Sequence, residues 1–249
     1  MTGRGLQRVQ AVVKTIVGAH SMAIHIAWRW WLALAFAAQI GAGTAAHAQA
    51  PGVDGPSAAM VAPTPRPATV RVAFQTTEGA IVMELEKDRA PITTRNFLRY
   101  IDERRYDGQT FYRAADIAEN FGLIQAGVRV MKPGQKLIPP IAHEPTTLTG
   151  LSHQTGTVSM ARLALGTAQS DFFITVGDMS SLDAQPGKPG DNAGFAAFGR
   201  VTEGMDVVMK IMRGAINPAL GAKEGMTGQM LAAPVRIISA RRVVEPAKP

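Results

Sequence analysis

The sequence lacks cysteine and contains few histidines. With no cysteine among its 249 residues, it has no disulfide framework, no thiol nucleophile and no cysteine-ligated zinc. Beyond the first fifty residues its histidines are His143 and His153, and neither shows a metal-ligand spacing with nearby carboxylates. We therefore interpret both as surface or loop histidines, and we predict neither a metal nor another cofactor.

Positive charge is concentrated at the N-terminus and is nearly balanced elsewhere. The formal net charge is +7, but the first fifty residues contain no acid and hold four of the 26 bases: Arg4, Arg8, Lys14 and Arg29. The remaining 22 bases face all 19 acids, which leaves a net charge of +3. So small a charge attracts nucleic acid only weakly, and we predict that the protein does not bind nucleic acid.

A targeting segment is predicted at the N-terminus. Arg29 precedes a short apolar run at 30–38, and small residues follow as far as Ala50. This order is typical of a secretory signal peptide, so we predict a signal peptide at 1–50, cleaved after Ala50, and a periplasmic protein without stable membrane insertion. The rival is an uncleaved inner-membrane anchor, which the apolar run disfavours because it is shorter than the ~20 residues that cross a bilayer. Met22 is an alternative start.

Proline-rich sequence separates this segment from the rest of the chain. Residues 51–68 contain five prolines among alanine, glycine and serine. Proline lacks a backbone donor and its neighbours have little to bury, so we predict a semi-extended linker there. The sequence at 69–246 shows no internal repeat and no coiled-coil pattern, which predicts a single domain and a monomer.

Hydrophobic periodicity predicts that this domain is mainly β. Alternating or short apolar runs predict eight strands, at 70–74, 81–85, 110–113, 122–126, 157–161, 172–176, 196–201 and 235–243. Apolar residues at helical spacing predict helices at 92–104 and 204–213. Because turns join most of the strands, we expect antiparallel pairing and a closed eight-stranded antiparallel barrel with two flanking helices.

Six short motifs follow one another over roughly residues 70–244. They are Ala90-Pro91 with Asn96-Phe97-Leu98, Phe111-Tyr112-Arg113, LIQAG at 123–127, GTVSMAR at 156–162, SDFFI at 170–174, and Leu182-Asp183 followed by FGRV at 198–201. In this order they resemble the motifs of bacterial cyclophilin-type peptidyl-prolyl cis-trans isomerases. One such motif would be weak evidence, whereas six at compatible spacings are specific. The resemblance implies the cyclophilin-like barrel.

The resemblance also implies the activity and the site. Members of this family isomerise X–Pro bonds in proline-containing polypeptides. For this protein we expect the activity to assist the folding of exported proteins. Rotation has a barrier of ~18–20 kcal/mol because it breaks amide resonance, and a donor on the prolyl nitrogen weakens that resonance. Arg113 matches the catalytic arginine, while Gln125 binds the substrate carbonyl or holds Arg113 in position. The implied proline pocket comprises Phe173, Leu182 and Phe195, with Phe121, Leu123 and Met160 nearby.

Several of these assignments have structural alternatives. Met160 is more typical of a core residue than of a ligand contact. Strand alternation places one of Phe172 and Phe173 in the barrel, and the resemblance assigns Phe172 to the barrel and Phe173 to the pocket. Eleven residues separate Arg113 from Gln125, more than is usual, so we expect an enlarged loop at 114–121, and the register of Phe121 stays open.

Three substitutions depart from the family's pattern. Ser181 stands where many cyclophilins have tryptophan, which implies poor cyclosporin binding. Phe195 replaces histidine or tyrosine and keeps only the ring. Asp171 replaces a common glutamine, and it either pairs with Arg113 and lowers activity or faces solvent. Asp171 and the enlarged loop favour the alternative function, a cyclophilin-fold module that binds proline-containing segments with little turnover.

Overall fold

Eight strands and three α-helices lie within residues 67–243, the part of the chain that the computed structural model describes. The predicted signal peptide and nearly all of the predicted linker lie outside the described residues. The strands are β1 (Thr69–Thr76), β2 (Gly79–Glu86), β3 (Thr110–Ala118), β4 (Phe121–Gly127), β5 (Thr157–Met160), β6 (Phe172–Val176), β7 (Ala196–Glu203) and β8 (Met230–Arg242). The helices are α1 (Pro91–Asp102), α2 (Thr146–Thr149) and α3 (Met205–Met212), with a 3₁₀ turn at Ser180–Leu182.

The strands close into one barrel with the order β1-β2-β7-β5-β6-β4-β3-β8. All the pairings between named strands are antiparallel, and β8 pairs with β1 to complete the ring. The predicted fold class is therefore confirmed: a mainly β, closed eight-stranded antiparallel barrel with the two predicted helices beside it. The four-residue α2 was not predicted, because one helical turn is too short to show a period.

Aromatic side chains fill the interior of the barrel. The ring of Phe172 lies 5.6 Å from that of Phe74 on β1 and 5.0 Å from that of Phe97 on α1. It also packs against Tyr106 and Phe111, and all five rings are fully buried. Because side chains occupy the interior, a polypeptide can bind only on the outer surface of the barrel.

The N-terminus of α1 is capped by a carboxylate from a distant part of the chain. Pro91 occupies the first turn, where its missing N–H costs nothing, and that turn contains no acid. Glu144 accepts instead from the backbone N–H of Ile92 at 3.1 Å, and from the N–H and hydroxyl of Thr93 at 2.7 Å each. Its negative charge is buried at the positive end of the helix dipole, which fixes α1 against the barrel.

Removing this cap is expected to destabilise the domain. The Glu144→Ala variant should lose about 3 kcal/mol of unfolding free energy in denaturant titration, because two buried N–H groups and a hydroxyl lose their acceptor. Glu144→Gln keeps one acceptor oxygen and should lose about 1 kcal/mol. Equal stability of Glu144→Ala and the wild type would show that water replaces the carboxylate without cost.

The predicted enlarged loop at 114–121 is wrong. β3 continues to Ala118, which pairs with Phe121, so a two-residue turn joins β3 and β4. Asn120 adopts a positive φ of 53° in this turn, a conformation that asparagine tolerates, and its Oδ1 accepts from Arg213 at 3.1 Å. The extra residues therefore lengthen the hairpin, because they pair with each other rather than forming a loop.

Candidate active site

Side chains from neighbouring strands form a row on the outer face of the barrel. Arg113 on β3 lies opposite Gln125 on β4, Gln125 lies opposite Phe173 on β6, and Phe173 lies opposite Ser159 on β5. Opposed residues of antiparallel strands point to the same face, whereas the adjacent Phe172 points into the core. The structure therefore brings together Arg113, Gln125 and Phe173.

A β-bulge at Tyr112 lets two consecutive side chains reach this face. Phe111 pairs with Ala126 and Arg113 pairs with Gln125, so Tyr112 is an extra residue in β3. Bulges often re-aim side chains beside active sites. Here Phe111 stays in the core, while Tyr112 and Arg113 both hydrogen-bond to the side chain of Gln125.

Arg113 is held between two neutral amides. Its Nη1 donates to Gln125 Oε1 at 2.7 Å, and its Nε and Nη2 donate to Gln229 Oε1 at 2.9 and 2.5 Å. Burial lowers the pKa of Arg113 to about 10, so the guanidinium is still charged at neutral pH. Because neither amide carries a charge, these contacts leave the positive charge on Arg113 intact.

Gln229 is the part of this arrangement that sequence reasoning missed. It lies just before β8, where its backbone oxygen accepts from the N–H of Ala114 at 2.8 Å. Gln229 belongs to no motif and sits in a glycine-containing segment, so only the pairing of β3 with β8 places it beside Arg113.

A small apolar cluster, separate from the main core, adjoins the row. Its buried members are Ala115, Leu123, Phe173, Met179, Leu182 and Phe195, and the partly buried Phe121 packs against it. The rings of Phe173 and Phe195 meet edge to face with centroids 5.5 Å apart. Of the six residues predicted to line the proline pocket, Met160 is the exception, since it lies in the main core.

The side chain of Asp171 forms neither of the predicted arrangements. Its Oδ1 accepts from the hydroxyl of Tyr112 at 2.6 Å, and its Oδ2 accepts from Ser170 at 3.0 Å. The expected alternatives, a pair with Arg113 or a side chain that simply faces solvent, are therefore wrong. The bulge explains the difference, because it places the hydroxyl of Tyr112 between Asp171 and the row.

His153 lies in a loop, one of the two predicted settings, but it is not at the surface. Its side chain is fully buried behind Phe173, with the two rings stacked at 5.9 Å. Nδ1 lies 2.5 Å from Asp183 Oδ1, and Nε2 lies 2.9 Å from the hydroxyl of Ser159. Sequence periodicity could not show this, because His153 lies outside the strands and is buried by the later turn that carries Asp183.

His143 is partly buried in a different place. Its Nε2 lies 2.9 Å from the carbonyl oxygen of Ala193, and burial lowers its pKa. His143 also lines a pocket of about 600 Å³, together with residues that include Leu165, Ala184 and Asn192.

Arg162 fixes the segment that precedes Phe195. It donates to both carboxylate oxygens of Asp191, at 2.7 and 2.8 Å, and to the carbonyl oxygen of Gly194, at 2.6 and 3.0 Å. Its guanidinium also lies 5.1 Å from the ring centroid of Phe195. The Arg162 guanidinium holds the pKa of Asp191 below its usual range. This pair therefore stabilises the fold above the ordinary aspartate pKa, and its contribution is lost as the pH falls through the lowered value.

Two features are absent from the part of the chain that the structure describes. Residues 67–243 contain no group of three or more histidine or carboxylate side chains placed to hold a metal ion. No helix in the same range is long and apolar enough to span a membrane.

A closed barrel with an arginine, a glutamine and an apolar cluster on its outer face defines a cyclophilin fold. A crystal structure of a cyclophilin-type peptidyl-prolyl cis-trans isomerase from Cryptosporidium parvum matches 72% of this chain and 100% of its own, with a TM-score of 0.56 and 19% identity. The same protein was also crystallised in the presence of the dipeptide Ala-Pro, and that structure has a TM-score of 0.56 as well. At this level of identity the match shows the fold alone.

Sequence comparison shows the family. The profile of the cyclophilin type peptidyl-prolyl cis-trans isomerases matches residues 71–241. A peptidyl-prolyl cis-trans isomerase of Acinetobacter baylyi is 35% identical over 69% of this chain and 85% of its own. Peptidyl-prolyl cis-trans isomerase B of Escherichia coli is 38% identical over 56% of this chain and 82% of its own. The chain belongs to the cyclophilin-type peptidyl-prolyl cis-trans isomerase family, and it is an isomerase of that class.

Weak inhibition by cyclosporin is expected, because Ser181 is an exposed small residue next to the buried Leu182. The Ser181→Trp variant introduces the tryptophan that many cyclophilins have at this position. It should raise the affinity for cyclosporin by roughly 30-fold, since a buried interface tryptophan contributes about 2 kcal/mol or more. Inhibition curves on both proteins measure the difference. Nanomolar inhibition of the wild type would show that another residue supplies the missing wall.

Proposed function

We propose that Arg113 is the catalytic residue of this isomerase and that Phe173, Leu182 and Phe195 hold the substrate proline. The observation that carries the proposal is the hydrogen bond from Arg113 to Gln125, on the same face as Phe173 and beside the apolar cluster. A proline ring fits an apolar pocket with aromatic walls, and an adjacent cationic donor can reach its amide.

The donor arrangement of Arg113 suits this role. Three of the five N–H groups of its guanidinium bond to Gln125 and Gln229, which leaves two without a partner among the described residues. Twisting an X–Pro bond localises the lone pair on the prolyl nitrogen. A fixed N–H donor stabilises that nitrogen more in the twisted state than in either planar state, and it therefore lowers the barrier.

Access to Arg113 requires movement of a covering side chain. The residue is only 3% exposed, and Gln229 lies over two of its donors. The backbone of Gln229 is fixed by its bond to Ala114, so rotation of its side chain is the smallest change that admits a substrate. The burial of Arg113 is the observation that favours the alternative function, a module that binds proline-containing segments with little turnover.

We also propose that the protein acts in the periplasm as a monomer that helps exported proteins to fold. The support is the order of charge, apolar run and small residues up to Ala50, followed by the proline-rich sequence at 51–68. N-terminal sequencing of the protein recovered from periplasm should give Pro51 as the first residue. Recovery of the uncleaved chain with the inner membrane would favour the anchor instead.

A protease-coupled assay on a short X–Pro peptide separates the two functions. The wild type should accelerate release of the cis fraction in proportion to enzyme concentration, and NMR exchange spectra should show cis and trans signals interconverting. A protein that broadens the peptide signals on binding but does not accelerate interconversion would support the binding module.

A further inference from the structure

A hydrogen-bond chain leads from Arg113 to the carboxylate of Asp171, a residue that has no proposed role in binding the substrate. Arg113 donates to Gln125 Oε1, and the Nε2 of Gln125 donates to the hydroxyl of Tyr112 at 2.6 Å. The hydroxyl of Tyr112 donates in turn to Asp171 Oδ1 at 2.6 Å. The chain therefore ends on Asp171, outside the proline pocket.

The direction of this chain matters because a glutamine amide has two different ends. An ionised carboxylate can only accept, so the hydroxyl proton of Tyr112 must point to Asp171. The oxygen lone pair of Tyr112 then accepts from the NH₂ end of Gln125, which turns the carbonyl end toward Arg113. If the amide were reversed, its NH₂ group would face the guanidinium, donor against donor.

We propose that Asp171 and Tyr112 are positioning residues, which fix the orientation of the Gln125 amide and through it the guanidinium of Arg113. The inference rests on the proposed catalytic role of Arg113. It also gives a function to the aspartate at position 171, where glutamine is common in the family. An acid fixes the donor-to-acceptor direction of the hydrogen-bond chain, whereas an amide could take part in it in either direction.

The surroundings of Asp171 and Tyr112 fit this role. Asp171 is steadied by a second bond from Ser170, and it lies against Gly127, where an added Cβ would come within 2.4–2.6 Å of the carboxylate. Tyr112 is buried under the guanidinium of Arg129, which lies 4.7 Å from the ring centroid. Burial, together with the charge of Asp171, raises the pKa of Tyr112, so its hydroxyl keeps the proton that it donates.

Two single variants interrupt the chain at different points. Tyr112→Phe removes the hydroxyl, and Asp171→Ala removes the final acceptor. Each should lower kcat about fivefold, the effect of one lost hydrogen bond, with KM changed by less than about twofold. Asp171→Asn keeps an acceptor oxygen but can also turn its NH₂ group toward Tyr112, so its kcat should lie between those of the wild type and Asp171→Ala. A wild-type kcat in both Asp171→Asn and Asp171→Ala would overturn the inference, because the acid would then not be needed to orient Gln125.

A third variant displaces the acceptor without removing any polar group. Gly127→Ala places a methyl group against the carboxylate, which is the free end of a flexible side chain and can shift. It should reproduce the kcat loss of Asp171→Ala while the thermal midpoint stays close to that of the wild type. This variant also decides the matter if either of the other two fails to fold.

The decisive experiment repeats Tyr112→Phe and Asp171→Ala in a Gln125→Ala background. If both residues act only through Gln125, neither should cause a further loss of kcat there. Full additivity would overturn the inference, since it would mean that Tyr112 or Asp171 acts on the substrate or the fold directly. Arg113→Ala is measured in parallel: activity that survives it refutes the proposed mechanism, whereas an inactive Arg113→Ala beside a fully active Tyr112→Phe refutes the positioning role alone.

Discussion

The Arg113→Ala variant is expected to lose at least about 100-fold in kcat/KM for an X–Pro peptide, the usual effect of removing a fixed donor that stabilises a transition state. The loss should fall on kcat, because the apolar cluster that we propose holds the proline ring is untouched. The protease-coupled assay measures it directly, and a rate within about twofold of the wild type would refute the mechanism.

Arg113→Lys is the matched control for this variant. Lysine keeps the positive charge but lacks the planar fork that spans Gln125 and Gln229. It should therefore recover only part of the lost rate. Full recovery would mean that charge alone suffices and that the geometry of the fork is irrelevant. Thermal unfolding of both variants shows whether the fold is preserved.

The Phe172→Ala variant is expected to lose about 4 kcal/mol of unfolding free energy, one of the largest effects of a core truncation. Phe172 is fully buried at the centre of the barrel and its ring contacts four other aromatic rings. No polar group or water can fill the resulting space favourably. Denaturant titration gives the loss, and a value below about 2 kcal/mol would show that the core collapses around the gap.

The neighbouring residue provides the control. Phe173 lies on the other face of the same strand, in the small apolar cluster. Phe173→Ala should cost less stability than Phe172→Ala, because that cluster is smaller and lies near the surface, and it should raise KM through loss of the pocket wall. If Phe173→Ala lost more stability than Phe172→Ala, Phe173 rather than Phe172 would be the residue of β6 that faces the main core.

Hydrophobic periodicity predicted the strands, the two longer helices and hence the barrel, whereas the residues of the row were predicted from the resemblance to cyclophilins. Alternation at 70–74 indicates which residues of β1 face inward, but 172–176 does not alternate, so the resemblance assigned Phe172 to the barrel and Phe173 to the pocket. These features need no knowledge of how distant segments pair.

The remaining features depend on register between strands, which periodicity does not contain. The bulge at Tyr112 is visible only when β3 is aligned with β4, and it changes the role of Asp171. Gln229 reaches Arg113 only because β8 pairs with β3. His153 is buried by contacts with Ser159 and with a turn thirty residues later in the chain. Each of these features depends on contacts between separate segments of the chain, which the identity of single residues does not reveal.

The closure of the barrel by β1 and β8 has a consequence for synthesis. As the chain leaves the ribosome, β1 has only β2 beside it until the segment Met230–Arg242 has been made. Until then β1 and β3 both present open edges, which are templates for pairing with other chains. Long-range pairing of this kind is also slow to form. We therefore expect a nascent chain of this protein to stay incompletely folded until β8 has been made. A chain that terminates before β8 is expected to be lost to aggregation or proteolysis rather than to survive as a smaller barrel.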